Sequence, residues 1–210
     1  MSLFNRKSTQ PSVWLLVLLC LFTFFWRLGS VPLFDLDEGL YVACSRQMVL
    51  SGDYVTPRLN THQSIPPYTT PTPFFEKPIM VYWLSAGAQR LFGTVEWAAR
   101  LPVATLSLFT TLLIAYMGSW WFGRRAGFFA GVLYAIAPMT IVDARQMTTD
   151  ALLVFWLLLT FFAFTRLTGV GKSPELTARA RGGYVFLFWM GCSCALLTKG
   201  AVGLLLPGLI

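Results

Sequence analysis

Charge is what this chain has least of. Asp and Glu together number 9 in 210 residues, Lys and Arg 16, and histidine occurs once, at His62. Charged residues reach only 12% while hydrophobic ones make up 56%, far from the balance of a soluble globular domain. A single histidine excludes imidazole-rich metal sites, and in a loop-like stretch a solvated side chain is its simpler reading. Three of the four cysteines, Cys20, Cys192 and Cys194, fall inside apolar runs, where cysteine behaves as a small hydrophobe. Cys44 has no obvious partner, so a disulfide framework is excluded as well. There is no tandem repeat, no Gly-rich phosphate loop behind a strand pattern, no hydrolase elbow and no zinc spacing. Nucleotide-binding and soluble hydrolase classes go with them.

What the chain has instead is long uncharged runs. Residues 8–26, 101–123, 126–142, 151–165, 182–198 and 200–210 carry no charge. A helix crosses the hydrocarbon core with roughly 17–25 apolar residues. The shorter run from 151 reaches that length if Asp150 and Arg166 sit at the two interfaces, with the arginine snorkelling. The expectation is an all-α polytopic membrane protein with spans at about 12–28, 101–122, 126–142, 150–167 and 184–198, and the start of a sixth at 201–210. The first run is long for a leader peptide and ends in Phe24-Phe25-Trp26-Arg27, so it reads as an uncleaved anchor.

Orientation follows from the basic residues. With a cytoplasmic N-terminus, the inner segments hold Arg6, Lys7, Arg124, Arg125, Arg166, Lys172, Arg179 and Arg181 against one acid, Glu175. The formal charge of +7 is then an inner-leaflet feature and requires no nucleic acid as partner. Every other acid, from Asp35, Asp37 and Glu38 through Asp53, Glu76 and Glu96 to Asp143 and Asp150, falls on the outer side. Such clustering at one face points to a polar site there.

Residues 29–100 form the one long connection. Apolar residues at Leu36, Leu40, Ala43 and Met48 have near-helical spacing, and Asp35 with Glu38 fits a capping-box start. This helix is too polar to span and is expected to lie on the membrane surface, stopping at Ser51-Gly52-Asp53. Prolines at 57, 66, 67, 71 and 73 read as breaking any regular element over 54–75. A second surface helix follows Phe75-Glu76-Lys77-Pro78, because too few uncharged residues separate Lys77 from Arg90 to cross. Together they form a lid over the outer face.

Several side chains there can do chemistry. Capping accounts for Asp35 and Glu38, but Asp37 is needed for neither bond of the box and is free to act as a general base toward an acceptor hydroxyl. Lys77 and Lys199 can converge on a lipid phosphate as point charges, although snorkelling also explains Lys199. Asp143 and Arg145 read as a surface ion pair of little energetic weight. Asp150 is expected to face inward or upward, away from lipid.

Asp37-Glu38-x-x-Tyr41, Ser51-Gly52-Asp53-Tyr54, Pro57-Arg58-Leu59-Asn60, Phe75-Glu76-Lys77-Pro78 with Tyr82-Trp83, Arg100, Asp150 and Thr198-Lys199-Gly200 occur here in the order seen in one family. The chain resembles the polyprenyl-phosphate-dependent glycosyltransferases, which include protein O-mannosyltransferases and lipid A aminoarabinose transferases, over about 12–210. The resemblance implies a GT-C-like transmembrane bundle with outer juxtamembrane helices. It implies an inverting transferase that moves a sugar from a polyprenyl-phosphate carrier to a lipid, glycan or protein acceptor on the outer face. By the same resemblance Asp37 is the catalytic aspartate, and Lys77, Lys199 and Tyr41 attend the donor phosphate. Glu38, Glu76 and Asp150 are further site candidates. No metal and no tightly bound cofactor are expected, the lipid-linked sugar being a substrate. A bacterial plasma membrane, with the active face outward, is the expected location.

Two departures stand out: Gly39-Leu40 replaces the usual x-Arg of aminoarabinose transferases, and Thr61–Pro73 is an insertion. Both point away from lipid A modification. Family members run to several hundred residues, and the chain stops at Ile210, so it is expected to be the N-terminal part of one. A non-catalytic remnant and a transporter or flippase-like protein remain alternatives on the residues alone. The topology makes one prediction: after Asn60→Cys, an impermeant thiol reagent labels the chain from outside intact cells, and labelling only from the cytoplasm overturns the orientation.

Overall fold

In the computed structural model, residues 11–33, 36–59, 72–170 and 176–209 are described. Asp35, Asn60, His62 and Glu175, the basic residues Arg6, Lys7 and Lys172, and most of the 61–73 insertion lie outside them.

Among the described residues the regular structure is helical apart from one minimal ladder. Helix α1, Pro11–Cys20, runs straight into a π-helical turn at Leu21–Phe25. Arg27 then takes a left-handed φ of 53°. A helix end leaves carbonyls without partners, and here they are met from far along the chain. Arg145 donates from Nη1 to the carbonyls of Thr23 (3.2 Å) and Trp26 (2.9 Å), and from Nη2 to that of Arg27 (3.3 Å). The expected surface pair of Asp143 with Arg145 is therefore corrected: among the described residues no ion pair joins them. The reason is that a guanidinium fork satisfies several orphan carbonyls at once, which one carboxylate cannot match.

Helix α2, Leu36–Ser51, stops where Gly52 adopts φ 74° and returns its N–H to the Met48 carbonyl at 2.9 Å. The proline-rich connection is closed at its base by two short antiparallel strands, β1 (Arg58–Leu59) and β2 (Thr72–Pro73), with Arg58 opposite Pro73. That corrects the expectation of no regular element over 54–75. Proline is tolerated at an edge position, where its missing N–H leaves no gap in a longer ladder. Helix α3, Met80–Phe92, follows Pro78 and packs on α2.

Helix α4, Glu96–Phe122, is the central column, with α1, α3, α5 and α7 packed around it. Helices α5 (Arg124–Ile136) and α6 (Pro138–Ala144) form one apolar segment bent by 65°. Pro138 at the start of α6 accounts for the bend, since it supplies no N–H to continue the α5 ladder. Helices α7 (Thr149–Thr168) and α8 (Ala178–Lys199) form an antiparallel pair, and the short α9 (Val202–Gly208) folds back on α8. By length and composition α4, α7 and α8 can each cross a membrane, and the bent α5–α6 pair is apolar enough for a broken span or a re-entrant loop. The protein is an integral membrane protein. Close helix contact rests on small residues: a Cβ at Gly127 would overlap Ser119 Oγ and the Ala115 carbonyl of α4.

At the start of α4, Arg100 (2% exposed) forms a two-pronged ion pair with Glu38 of α2 (0% exposed), Nε to Oε1 at 2.7 Å and Nη2 to Oε2 at 2.8 Å. Its other N–H groups reach the carbonyls of Leu28 (3.0 Å), Val31 (2.7 Å) and Pro32 (3.0 Å). Glu38 Oε1 also accepts the Met147 main-chain N–H at 3.0 Å. Beneath this polar knot lies the main core under the outer helices, built on Tyr41, Met48, Val81, Tyr82, Val103, Met147 and Leu152. Removing one partner strands a buried charge, so Arg100→Ala should cost about 3–5 kcal/mol. Thermal unfolding in detergent measures it, and the paired change Glu38→Leu with Arg100→Met should lose much less.

Candidate active site

Two first-turn neighbours on α2 take opposite positions. Successive residues on a helix are rotated by about 100°, so burying Glu38 turns Asp37 outward, and Asp37 is exposed. One turn on, the Tyr41 hydroxyl donates to Asp37 Oδ2 at 3.1 Å. Tyr41 is itself buried, with its ring edge-on to Tyr82 at 5.9 Å. Burial chiefly, and then the bond to Asp37, push the Tyr41 hydroxyl pKa well above that of a free tyrosine. Tyr41 therefore serves Asp37 as a neutral donor, leaving one carboxylate oxygen open. Asp37 and Glu76 both act on the Tyr41 and Tyr82 hydroxyls, which places the two carboxylates around one aromatic pair. The Tyr82 hydroxyl is buried beside the Lys77 main chain.

The Phe75–Ile79 turn and the end of α8 together enclose a cleft of about 520 Å³, lined by Val55, Pro57, Phe75, Glu76, Lys77, Pro78, Ile79, Lys199 and Gly200. The cleft is held from the loop side. Asp53 Oδ1 accepts the N–H groups of Val55 (3.0 Å) and Thr56 (3.1 Å), Phe74 N–H reaches the Pro57 carbonyl at 2.8 Å, and Trp83 Nε1 donates to the Tyr54 carbonyl at 2.6 Å. The two main-chain donors are the main reason the Asp53 carboxyl lies below the usual range.

Of the residues expected to form a site, Lys77, Lys199 and Glu76 meet in this cleft. Asp37 and Tyr41 stand beside it on α2 and do not line it. Glu38 is locked into the Arg100 pair. Asp150 is exposed at the first turn of α7 and forms an ion pair with Lys199, so the lysine is steered by a carboxylate and does not simply snorkel. Three features escaped the sequence reading: the Asp150–Lys199 pair, the role of Arg100 and the buried Tyr82 hydroxyl beside the Lys77 main chain. Only the Tyr82-Trp83 and Arg100 positions in the motif order hinted at two of them. A separate groove of about 320 Å³ between α7, α8 and α9 is lined by Leu157, Leu158, Phe161, Phe164, Phe188 and neighbours. It contains no ionisable group and offers no chemistry. Among the described residues, no group of three His, Cys, Asp or Glu side chains could hold a metal ion.

An apolar bundle roofed at one end by two short helices, with a basic cleft under their connection, matches crystal structures of ArnT from Cupriavidus metallidurans. With undecaprenyl phosphate bound, the TM-score is 0.81 at 34% identity, over 96% of this chain and 35% of that one. The apo form gives 0.79 at 35% identity, over 94% and 34%. The fold is that of the GT-C class of membrane glycosyltransferases. The chain belongs to the dolichyl-phosphate-mannose-protein mannosyltransferase family, whose model matches residues 76–210. It is also 32% identical, over 92% of its length and 33% of the relative's, to the undecaprenyl phosphate-alpha-4-amino-4-deoxy-L-arabinose arabinosyl transferase of Aeromonas hydrophila. An uncharacterized protein of Aquifex aeolicus is 30% identical over 91% of this chain and 40% of that protein. The chain thus spans about a third of the length of the curated transferases it matches.

The ion pair at the cleft rim makes its own prediction. Asp150→Asn should raise the rate at which an amine reagent modifies Lys199 by about two- to fivefold, the range expected for releasing an exposed pair. Peptide mass spectrometry reads it, and an unchanged rate would mean that the carboxylate does not hold the ammonium group.

Proposed function

We propose that this chain forms the N-terminal, donor-binding part of an inverting glycosyltransferase that takes a sugar from a polyprenyl-phosphate carrier. The observation that carries the reading is the meeting of Lys77 and Lys199 in one cleft beside Glu76. The donor's leaving group is a phosphate, and two ammonium groups at a partly desolvated surface stabilise the charge that develops on it. Membership of the mannosyltransferase family and likeness to a structure with undecaprenyl phosphate bound support the same donor class. They also weigh against the transporter alternative.

In the proposed reaction the acceptor hydroxyl oxygen attacks the anomeric carbon from the face opposite the phosphate. Its proton passes to the open oxygen of Asp37, whose other oxygen is held by Tyr41. The bond between the anomeric carbon and the phosphate oxygen breaks, and its electron pair stays on the polyprenyl phosphate. Lys77 meets the phosphate directly, Lys199 is aimed by Asp150, and Glu76 stands where it can orient Lys77 or a sugar hydroxyl. No tightly bound cofactor enters the scheme. The acceptor is a lipid, glycan or protein on the outer face of a bacterial plasma membrane, with the N-terminus in the cytoplasm. The missing x-Arg at Gly39-Leu40 argues for a general transferase of the family and against lipid A modification.

Binding and transfer are tested separately, using a radiolabelled polyprenyl-phosphate sugar and the purified chain in detergent. Lys77→Ala should weaken donor binding about tenfold or more, the value of a charge-assisted contact. Asp37→Asn should leave binding intact and lower transfer to an acceptor extract by about 10²–10⁴. Equal donor binding by wild type and Lys77→Ala would overturn the phosphate site, and undiminished transfer by Asp37→Asn would remove it as the base.

A further inference from the structure

The end of the bundle opposite the cleft is built for a different anion. Helices α4 and α7 finish there, and α5 and α8 begin. The guanidinium of Arg166, in the last turn of α7, lies between two aromatic rings: its central carbon is 5.0 Å from the Trp120 ring centre and 5.1 Å from that of Tyr184. Aromatic rings attract a guanidinium through its flat faces. With the faces occupied, only the N–H edge is left for hydrogen bonding. At that edge Nε is buried and has no hydrogen-bond partner. Arg124 Nη2, at the start of α5, and Trp121 Nε1, on the last turn of α4, are likewise buried donors without acceptors.

A buried donor is costly to leave unsatisfied, and more so when it is charged. Among the described residues at this end there is no acid to supply the acceptors. Arg124, Arg125, Arg166, Arg179 and Arg181 gather at this end, whereas every acid among the described residues lies toward the cleft end or in the outer connection. The tryptophans and the tyrosine mark the depth at which lipid headgroups meet the hydrocarbon. A lipid headgroup at that depth brings acceptor oxygens to the same level.

We propose that this end of the bundle binds the headgroup of an anionic phospholipid. Its phosphodiester oxygens accept from the Arg166 edge, with Arg124 as a second donor. A phosphodiester matches the planar guanidinium fork. The five arginines select a net-negative headgroup, because a choline or ethanolamine ammonium would be driven off by the same field. The inference depends only on the chain lying in a membrane, not on the donor cleft or its chemistry.

Native mass spectrometry of the chain, purified in detergent with equimolar phosphatidylglycerol and phosphatidylcholine, tests it. Wild type should retain phosphatidylglycerol in preference, and Arg166→Gln should lower that retention about fivefold, as expected for one headgroup-level arginine. Arg166→Lys keeps the charge but loses the stacked fork, and should lose most of the preference while circular dichroism shows an intact bundle. Inorganic phosphate at millimolar concentration should leave the bound lipid in place. Equal retention of the two lipids, unchanged retention in both Arg166 variants, or displacement by inorganic phosphate would each overturn the proposal; the last would mark a site for a free anion.

Discussion

The buried pair of Glu38 and Arg100 organises this molecule. A guanidinium has five N–H donors, and all five are used here: two on the Glu38 carboxylate and three on the carbonyls of Leu28, Val31 and Pro32. Glu38 adds the Met147 main-chain N–H. One interaction thus joins the exit of α1, the start of α2, the first turn of α4 and the turn before α7. Such a pair is worth little net stability over a well-packed apolar substitute. Its value is geometric, because a saturated fork admits one arrangement of the four segments.

The site inherits that arrangement. With Glu38 turned in, Asp37 has to face out of the bundle, and Tyr41, one turn later, falls where its hydroxyl can hold one of the Asp37 oxygens. Arg145 performs a related task on the other side of α1, closing the carbonyls that the π-helical exit leaves open. The α6–α7 turn is thereby fastened at both Arg145 and Met147, and Asp150 begins α7 a few residues on. That is why a carboxylate stands at the rim of the cleft to aim Lys199. The proposed chemistry needs two lysines and one carboxylate fixed to within a bond length or so, and buried arginines some distance away keep the scaffold rigid enough for that.

The two ends of the bundle divide the charge between them. Acids and bases are mixed at the cleft end, where they pair and can act on a polar substrate. At the far end the described residues include arginines but no acid, and Arg166 lies over two aromatic rings. An arginine stacked between rings cannot wander like a free snorkelling chain, so its hydrogen-bonding edge is presented in one direction.

The sequence by itself determined that the chain is helical and membrane-embedded, because uncharged runs long enough to cross hydrocarbon leave few other solutions. It also marked Asp37, Lys77 and Lys199, since charges that interrupt apolar runs at one face are conspicuous, and the ordered motifs named the family. It did not show what Glu38 and Arg145 do. A capping carboxylate and a surface ion pair are local readings, and local patterns cannot reveal partners 62 or about 120 residues away. The bend at Pro138 and the ladder closing the proline-rich connection were hidden for the same reason. Only the tertiary structure decided which charges are buried and which are presented. Burial depends on what packs against a side chain, and in a bundle this far from the soluble norm each ion must find its partner across the fold.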